Sequence, residues 1–153
     1  AAKKGYKMFF LGAAEGVAAK AAKNLEKRYK GLQVVGTYSP PFGFENNKDE
    51  MNKITEMIKK AEPHILVVGL GCPKQEKFMY HHCKELGVPI SFGLGASLDF
   101  EAGKVRRAPK WMANHGLEWL FRITQDPKRM AKRYLIDDTK ILGLALKYKN
   151  SVR

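Results

Sequence analysis

Short apolar runs alternate with longer amphipathic segments through the first two thirds of this 153-residue chain, and this alternation limits the possible folds most strongly. Four apolar runs have the length of buried strands: KMFFLG (7–12), QVVGTY (33–38), HILVVGLG (64–71) and PISFGLG (89–95). Segments with helical spacing of apolar residues lie between them, at 15–29, 49–61 and 73–86. Because strand and helix in regular succession favour right-handed crossovers, the sequence predicts an α/β fold, a Rossmann-like parallel sheet with flanking helices.

The pattern changes after Gly95. Residues 96–108 are predicted to form a loop, and Pro109 is well placed to begin a helix that runs to about Gln125. The pair Asp126-Pro127 then indicates a cap and a restart, followed by a basic amphipathic helix to about Lys149. We therefore predict an α/β core over 1–108 and a C-terminal basic helical appendage over 109–153.

The net charge of +13 is concentrated in the C-terminal third. Residues 1–103 hold 15 Lys and Arg against 11 Asp and Glu, whereas residues 104–153 hold 13 against 4. A basic segment of this kind attracts phosphate groups, whether in nucleic acid, in an anionic membrane surface or in a phosphorylated small molecule. Charge alone does not choose among these three partners.

The composition also excludes several classes of protein. A content of 44% hydrophobic and 28% charged residues is typical of a globular chain, and two cysteines are too few for a disulfide framework. No apolar stretch is long enough to span a membrane, and AAKKGYK lacks the apolar region of a signal peptide, so we expect a cytosolic protein. Because an apolar strand follows Ala1 so closely, we also expect that an N-terminal portion is missing.

Glycines end three of the predicted strands, where an open parallel sheet binds its ligands. Gly12, Gly69 and Gly71 would let a ligand approach the backbone, although tight turns explain each glycine about equally well. Lys74 and Gln75 lie in the first turn of a helix that opens at the same edge, where free N–H groups favour an anion. The alternative is that the polar residues of this turn only cap the helix.

Acidic and basic side chains follow in the last two clusters. Asp99 is predicted to lie in the loop after the fourth strand, where a carboxylate can accept hydrogen bonds from a ribose or sugar diol, or simply cap a turn. Arg122, Arg129 and Arg133 are spaced seven and four residues apart, which suits a diphosphate or a surface stripe. Asp99 with Glu101, and the histidines with the cysteines, are weak metal signals, so no metal site is expected.

Several segments taken together resemble the WecG/TagA/CpsF glycosyltransferases, glycosyltransferase family 26. The resemblance covers nearly the whole chain and is carried by FFLGAAEGVAAKAAKNL, SPPFGFE, GLGCPKQEKF, GLGASLDFEAGKVRRAPKWM and GLEWLFRITQDPKRMAKRYL. It implies a metal-independent, inverting transfer of a sugar, often N-acetylmannosamine from its UDP form, to an undecaprenyl-diphosphate-linked sugar. The reaction would take place at the cytoplasmic face of the bacterial membrane, for teichoic acid, common antigen or exopolysaccharide.

The resemblance also implies roles for individual residues. Gln75 would touch the sugar nucleotide, and Asp99 would hold its uridine part. Arg122 and Arg129, with Lys132 or Arg133, would close over the diphosphate and dock on the membrane. Gln75, Arg122 and Arg129 are therefore the expected catalytic residues, and Gly12, Gly69, Gly71 and Lys74 complete the expected substrate site.

Two features depart from the family pattern. Family members usually carry a further N-terminal segment with the aspartate proposed as general base, so we expect this chain alone to be inactive while retaining UDP binding. The loop SPPFGF replaces an H-G-Y-F type loop whose tyrosine is thought to stack on uracil, a role that Phe42 or Phe44 would take here.

Two rival functions remain open at this stage. The chain could be a basic α/β module that binds nucleic acid, although it has no recognised nucleic-acid motif and we expect no nucleic-acid partner. It could also be a membrane-surface module without catalysis, which would need the final helix but neither Gln75 nor Asp99. The sequence does not indicate an oligomeric state.

Overall fold

A computed structural model describes residues 1–127 and residue 130. The chain divides into two compact units, residues 1–105 and 106–153. The first unit holds a sheet of four strands: β1 (Lys7–Gly12), β2 (Gln33–Tyr38), β3 (Ile65–Gly69) and β4 (Ile90–Gly93). All neighbouring strands run parallel, in the order β2-β1-β3-β4. The predicted α/β fold with a Rossmann-like parallel sheet is confirmed.

Helices cover both faces of this sheet. The first unit contains α1 (Val17–Arg28), α2 (Lys48–Ala61), α3 (Lys74–Leu86) and α4 (Ser97–Glu101), with short 3-10 turns at Ala2–Lys4 and Phe44–Asn46. One face packs against α1 and α4, and the other against α2 and α3. The strand order reverses beside β1, because β2 lies on one side of it and β3 on the other. A doubly wound sheet binds ligands at the carboxyl ends of the strands at such a point.

The strands read as continuous apolar runs because both of their faces are buried. Phe9, Leu11, Leu66 and Val68 point towards α2 and α3, whereas Phe10 and Val67 point towards α1 and α4. Successive residues of a strand alternate between faces, so one strand supplies both layers of the core. Burial of a large apolar side chain contributes about 1.5–3 kcal/mol, which makes these strands the main source of stability.

A β-bulge interrupts the pairing of β1 with β2. Met8 pairs with Val34 but Phe9 pairs with Gly36, so β2 carries one extra residue at this point. The Phe9 ring lies over Gly36, where an added Cβ would come within 2.4 Å of ring atom Cε2. Gly36 is therefore required by the position of a core ring.

The region after β4 differs from the sequence prediction in two places. The loop predicted over 96–108 contains α4, so Asp99 lies on a helix and not in a loop. The single helix predicted from Pro109 to Gln125 is two helices, α5 (Lys110–Asn114) and α6 (Glu118–Gln125). Gly116 lies between them with a φ of +70°, a conformation that ends an α-helix.

The second unit is described as far as residue 127, with residue 130. The side-chain amide of Gln125 accepts a hydrogen bond from the Arg106 N–H at 3.0 Å and donates one to the Arg106 carbonyl at 2.9 Å. The predicted final helix lies outside the described residues, and the domain boundary predicted after residue 108 stays a prediction. Over the described part of the chain, no helix is both long and apolar enough to cross a bilayer.

Candidate functional site

The carboxyl ends of β1 and β3 meet closely. An added Cβ on Gly12 would lie 2.6 Å from the backbone carbon and oxygen of Gly69, and the Ala13 N–H donates to the Gly69 carbonyl at 2.9 Å. An added Cβ on Gly69 would lie 2.9 Å from Leu98 of α4. These two glycines therefore let the strand ends and α4 pack together, which is their structural role whatever ligand lies nearby.

A cavity of about 600 Å³ opens at the ends of β1 and β2. Its walls are the β1–α1 loop, the start of α1, the end of β2 and the segment that follows it, and its lining residues include Ala13, Glu15, Gly16, Thr37 and Ser39. The Ser39 hydroxyl lies 3.2 Å from the carbonyl oxygens of both Gly12 and Ala14, and so joins the two walls. The cavity sits at the edge where a sheet of this topology binds ligands.

Helix α1 begins at this cavity. Gly16 is its N-cap, with a φ of +75° and no capping side chain, and both Gly16 and Ala19 line the cavity. The first N–H groups of a helix lack partners within the helix and carry partial positive charge. The partial positive charge favours an anion at this end, whereas the carboxylate of Glu15, which also lines the cavity, opposes one. An added Cβ on Gly16 would meet nothing within 4 Å.

Tyr38 forms another part of the cavity wall, and α2 holds its hydroxyl group. The hydroxyl donates a short hydrogen bond to the Glu50 carboxylate and accepts one from the Lys53 ammonium at 2.7 Å. The same ammonium lies 4.7 Å from the centre of the Tyr38 ring. The hydrogen bond to Tyr38 raises the pKa of Lys53, which therefore stays charged. Sequence analysis missed these cavity residues, although the spacing G-x-x-x-G over 12–16 between a strand and a helix was a usable signal.

Side chains occupy the start of α3, another helix that begins at this edge. Lys74, its first residue, forms an ion pair with Glu45 and lies 4.5 Å from the centre of the Phe42 ring. The hydrogen bond from Lys74 lowers the pKa of the Glu45 carboxyl. Gly71, just before this helix, has a φ of +82° and open space where a side chain would be.

Gln75 is buried and ties α3 to the loop after β4. Its side-chain oxygen accepts a hydrogen bond from the Gly95 N–H at 3.1 Å, and its nitrogen donates to Glu76 at 2.9 Å. Only 6% of Gln75 is exposed. The side-chain amide of Gln75, expected to touch the sugar nucleotide, is thus bonded to the protein itself in this structure.

The two phenylalanines of the SPPFGF loop have different surroundings. Phe42 is 98% exposed, so its ring is accessible to a ligand. Phe44 is buried in the core, with its ring centre 6.3 Å from that of Phe78. The expectation that Phe44 could stack on a base is wrong, and Phe42 is the candidate that stays.

Asp99 is half-buried on α4, and its backbone carbonyl accepts hydrogen bonds from the N–H groups of Lys104 and Val105 at 2.9 and 3.3 Å. Glu101 pairs with Arg28 at 2.8 Å, while its carbonyl accepts a hydrogen bond from Asn24 of α1. Over residues 1–127, no group of three or more His, Cys, Asp or Glu side chains could hold a metal ion.

The predicted basic cluster falls mostly outside the described residues. Arg122 lies on α6 and pairs with Glu118, one turn earlier, at 2.8 Å. Arg129, Lys132 and Arg133 are among the residues that the structure does not describe, so their predicted alignment with Arg122 stays a prediction.

We next compared the sequence of the chain with known protein families. The model of the glycosyl transferase WecG/TagA/CpsF family matches residues 1–153, the whole chain. The chain belongs to this family. The resemblance seen in the sequence motifs is therefore confirmed.

Several curated relatives share one name, N-acetylglucosaminyldiphosphoundecaprenol N-acetyl-beta-D-mannosaminyltransferase. The relative from Bacillus subtilis (strain 168) is 32% identical over 127 residues, 83% of this chain and 47% of the relative. The relative from Bacillus spizizenii is 29% identical over 145 residues, 95% of this chain and 53% of the relative. The relative from Staphylococcus aureus (strain MW2) is 31% identical over 126 residues, 82% and 47% respectively. The chain spans about half the length of these relatives.

Proposed function

We propose that the protein serves an inverting, metal-independent transfer of N-acetylmannosamine from a UDP-sugar to an undecaprenyl-diphosphate-linked sugar. The observation that carries the proposal is the family match over the whole chain, together with the name shared by its relatives. The work would take place at the cytoplasmic face of the bacterial membrane, in teichoic acid, common antigen or exopolysaccharide synthesis.

The cavity at the start of α1 supports a place for the diphosphate of the donor. The helix begins without a capping side chain. The Val17 N–H donates to the Ala14 carbonyl at 3.0 Å, so the later N–H groups of the first turn are the ones proposed to meet phosphate oxygens. The bonds from Ser39 to the β1–α1 loop keep this loop in position before a ligand arrives. A preformed site of this kind loses less free energy to ordering when it binds.

Asp99 is proposed to bind the ribose of the uridine part. Among the described residues its carboxylate has no hydrogen-bond partner, although the side chain is half-buried. A carboxylate that leaves bulk water gains most from a hydroxyl pair that can donate to both oxygens. Phe42, exposed beside the start of α3, is proposed to stack on the uracil base.

In the proposed transfer, a hydroxyl of the acceptor attacks the anomeric carbon of the donor from the side opposite the diphosphate. The bond from that carbon to UDP breaks, the proton of the hydroxyl passes to a general base, and the leaving diphosphate gains charge. Arg122 and Arg129, with Lys132 or Arg133, are proposed to stabilise this charge, because guanidinium groups bind phosphate oxygens in pairs. In this proposal Gln75 acts by holding the loop after β4.

Calorimetric titration tests the proposal. UDP and UDP-N-acetylmannosamine are titrated into the chain with EDTA and then with Mg²⁺, and ADP is the control nucleotide. We expect binding of both uridine compounds without metal, and a loss of about tenfold or more in Asp99→Asn, since a hydrogen bond to a charged group contributes about 1.5–3 kcal/mol. Asp49→Asn, an exposed carboxylate on α2, is the matched control and should bind as the unchanged chain does.

Two results would contradict the proposal. The folded chain could show no uridine nucleotide binding, or it could bind ADP as well as UDP. A requirement for Mg²⁺ would contradict the metal-independent part alone. Circular dichroism of each variant checks that the helices and the sheet are retained.

A further inference from the structure

The outer face of α1 carries three lysines in a row. Lys20, Lys23 and Lys27 lie within roughly 60° of one another around the helix axis, given 3.6 residues per turn. Ala18, Ala21 and Ala22 lie on the opposite side and are buried against the sheet. The lysines are all exposed, so the helix directs them straight away from the core.

Three more lysines adjoin this row at the C-terminal end of α1. Lys3 and Lys4 lie in the first 3-10 turn, and Lys30 follows α1. The two segments are close together, since an added Cβ on Gly31 would lie 3.6 Å from the Ala2 carbonyl oxygen. All three are exposed. We call this set the lysine face: Lys3, Lys4, Lys20, Lys23, Lys27 and Lys30.

The six lysines of the lysine face outnumber the acidic groups beside them, so the face keeps a net positive charge. The Glu26 carboxylate accepts a hydrogen bond from the Val34 N–H, and Glu101 pairs with Arg28. None of the six lysines forms an ion pair within the part of the chain that the structure describes. Two exposed tyrosines adjoin the lysines, Tyr6 at 44% and Tyr29 at 50% exposure.

We propose that the lysine face docks on a bilayer that contains anionic phospholipids. Clusters of four to eight basic residues are attracted to such a surface, with about 1 kcal/mol for each residue near it. Because the apolar side of α1 is already buried in the core, the helix adsorbs through charge and does not insert. Tyrosine side chains, apolar with a polar tip, suit the headgroup layer at the same surface.

The position of α1 relates this surface to the candidate site. Ala19 lines the cavity and Lys20 is the next residue, so the lysine face begins beside the cavity. From there the face extends along α1 to Lys30, at the end of the helix away from the cavity. The lysine face would be a membrane contact in addition to the C-terminal appendage predicted from the sequence. It does not depend on UDP binding, which calorimetry measures separately.

Vesicle flotation tests the proposal with two matched triple variants. Lys20→Gln, Lys23→Gln and Lys27→Gln together remove the row on α1, whereas Lys48→Gln, Lys59→Gln and Lys60→Gln remove the same charge from exposed positions of α2. On vesicles of equal parts phosphatidylcholine and phosphatidylglycerol, we expect the partition coefficient of the α1 variant to fall about a hundredfold, at about fivefold for each of the three lysines. The α2 variant should change less than about twofold, and phosphatidylcholine alone should bind neither.

A fluorescent label shows which side of the protein faces the bilayer. With Cys72→Ser and Cys83→Ser as background, a solvent-sensitive dye is attached at Lys23→Cys or at Lys60→Cys. We expect a blue shift on anionic vesicles at position 23 and none at position 60.

Four results would overturn the proposal: equal losses in the two triple variants, an unchanged partition coefficient in the α1 variant, equal dye responses at both positions, and binding that ignores phosphatidylglycerol. A fifth result would also overturn it and would indicate nucleic acid as the partner: the α1 variant binds a DNA duplex more weakly but binds vesicles as the unchanged chain does.

Discussion

Two junctions at the carboxyl edge of the sheet have the same plan and different contents. After β1 and after β3, a strand leads through a glycine-containing loop into a helix whose N-terminus lies at this edge. The junction after β1 leaves a cavity of about 600 Å³ beside a helix start without a capping side chain. At the junction after β3, Lys74 pairs with Glu45 and Gln75 binds the loop after β4.

The difference shows that a helix N-terminus does not define a site by itself. Both helices offer N–H groups and a positive dipole end, as any helix does. The two junctions differ in their neighbouring side chains. The first leaves an open cavity with Glu15 and Tyr38 on its walls, whereas Lys74 and Gln75 at the second are engaged by other parts of the protein. The first is therefore the better candidate for the diphosphate, and the second is the better candidate for a positioning element.

The largest expected effect concerns the glycines of the two junctions. Gly12→Ala places a Cβ 2.6 Å from the Gly69 backbone at a φ of +111°, whereas Gly71→Ala adds a Cβ in open space at a φ of +82°. We expect Gly12→Ala to lower the free energy of unfolding by about 3 kcal/mol or more, and Gly71→Ala by about 1–2 kcal/mol. Urea denaturation measures both, and equal losses would show that the close approach of the strand ends contributes nothing beyond backbone conformation.

Introducing a carboxylate at one junction or the other tests which of the two binds an anion. Gly16→Asp and Gly71→Asp both introduce a charge where an added Cβ meets nothing within 4 Å and φ is positive. If the diphosphate binds at α1, Gly16→Asp weakens UDP binding by about tenfold or more, through repulsion near a helix start, and Gly71→Asp by clearly less. The reverse order in calorimetry would move the diphosphate to α3 and contradict our placement.

The smallest effect is the titration of Glu45. Lys74 lowers its pKa, so the carboxylate form is favoured in the folded state. The stabilisation is therefore complete above the ordinary pKa of a glutamate and is lost as the pH falls through the lowered value. In carbon-detected NMR we expect a Glu45 midpoint below the ordinary value, returning upward in Lys74→Met and unchanged in Lys77→Met, an exposed lysine of the same helix. If the Glu45 midpoint did not change in Lys74→Met, the ion pair would not be the cause of the lowered pKa.

The sheet could be predicted from the sequence because its strands are buried on both faces and read as unbroken apolar runs. KMFFLG and QVVGTY match β1 and β2 residue for residue. The helices α1, α2 and α3 begin and end within two residues of the bounds predicted from the sequence. Local patterns were sufficient here because each element packs one stripe or one face against its neighbours.

The site was harder to predict, because its composition depends on which side chains meet across the chain. Phe42 and Phe44 are two residues apart in one loop, yet one is exposed and the other is in the core. Gln75 carries a polar amide in a predicted first turn, but only the fold shows that its partner is Gly95. Most residues that line the cavity are alanines, glycine and prolines, which do not indicate a binding site in a sequence, and its polar residues come from two separate segments, Glu15 and Thr37–Ser39.

The contact between Phe9 and Gly36 has a consequence for the history of this sheet. The ring occupies the volume that any side chain at position 36 would need, and the bulge between β1 and β2 fixes their register. Neither position can change size alone without disturbing the centre of the sheet. Among relatives, a residue larger than glycine at position 36 should therefore appear together with a smaller residue at position 9, so that the two sites evolve as a pair.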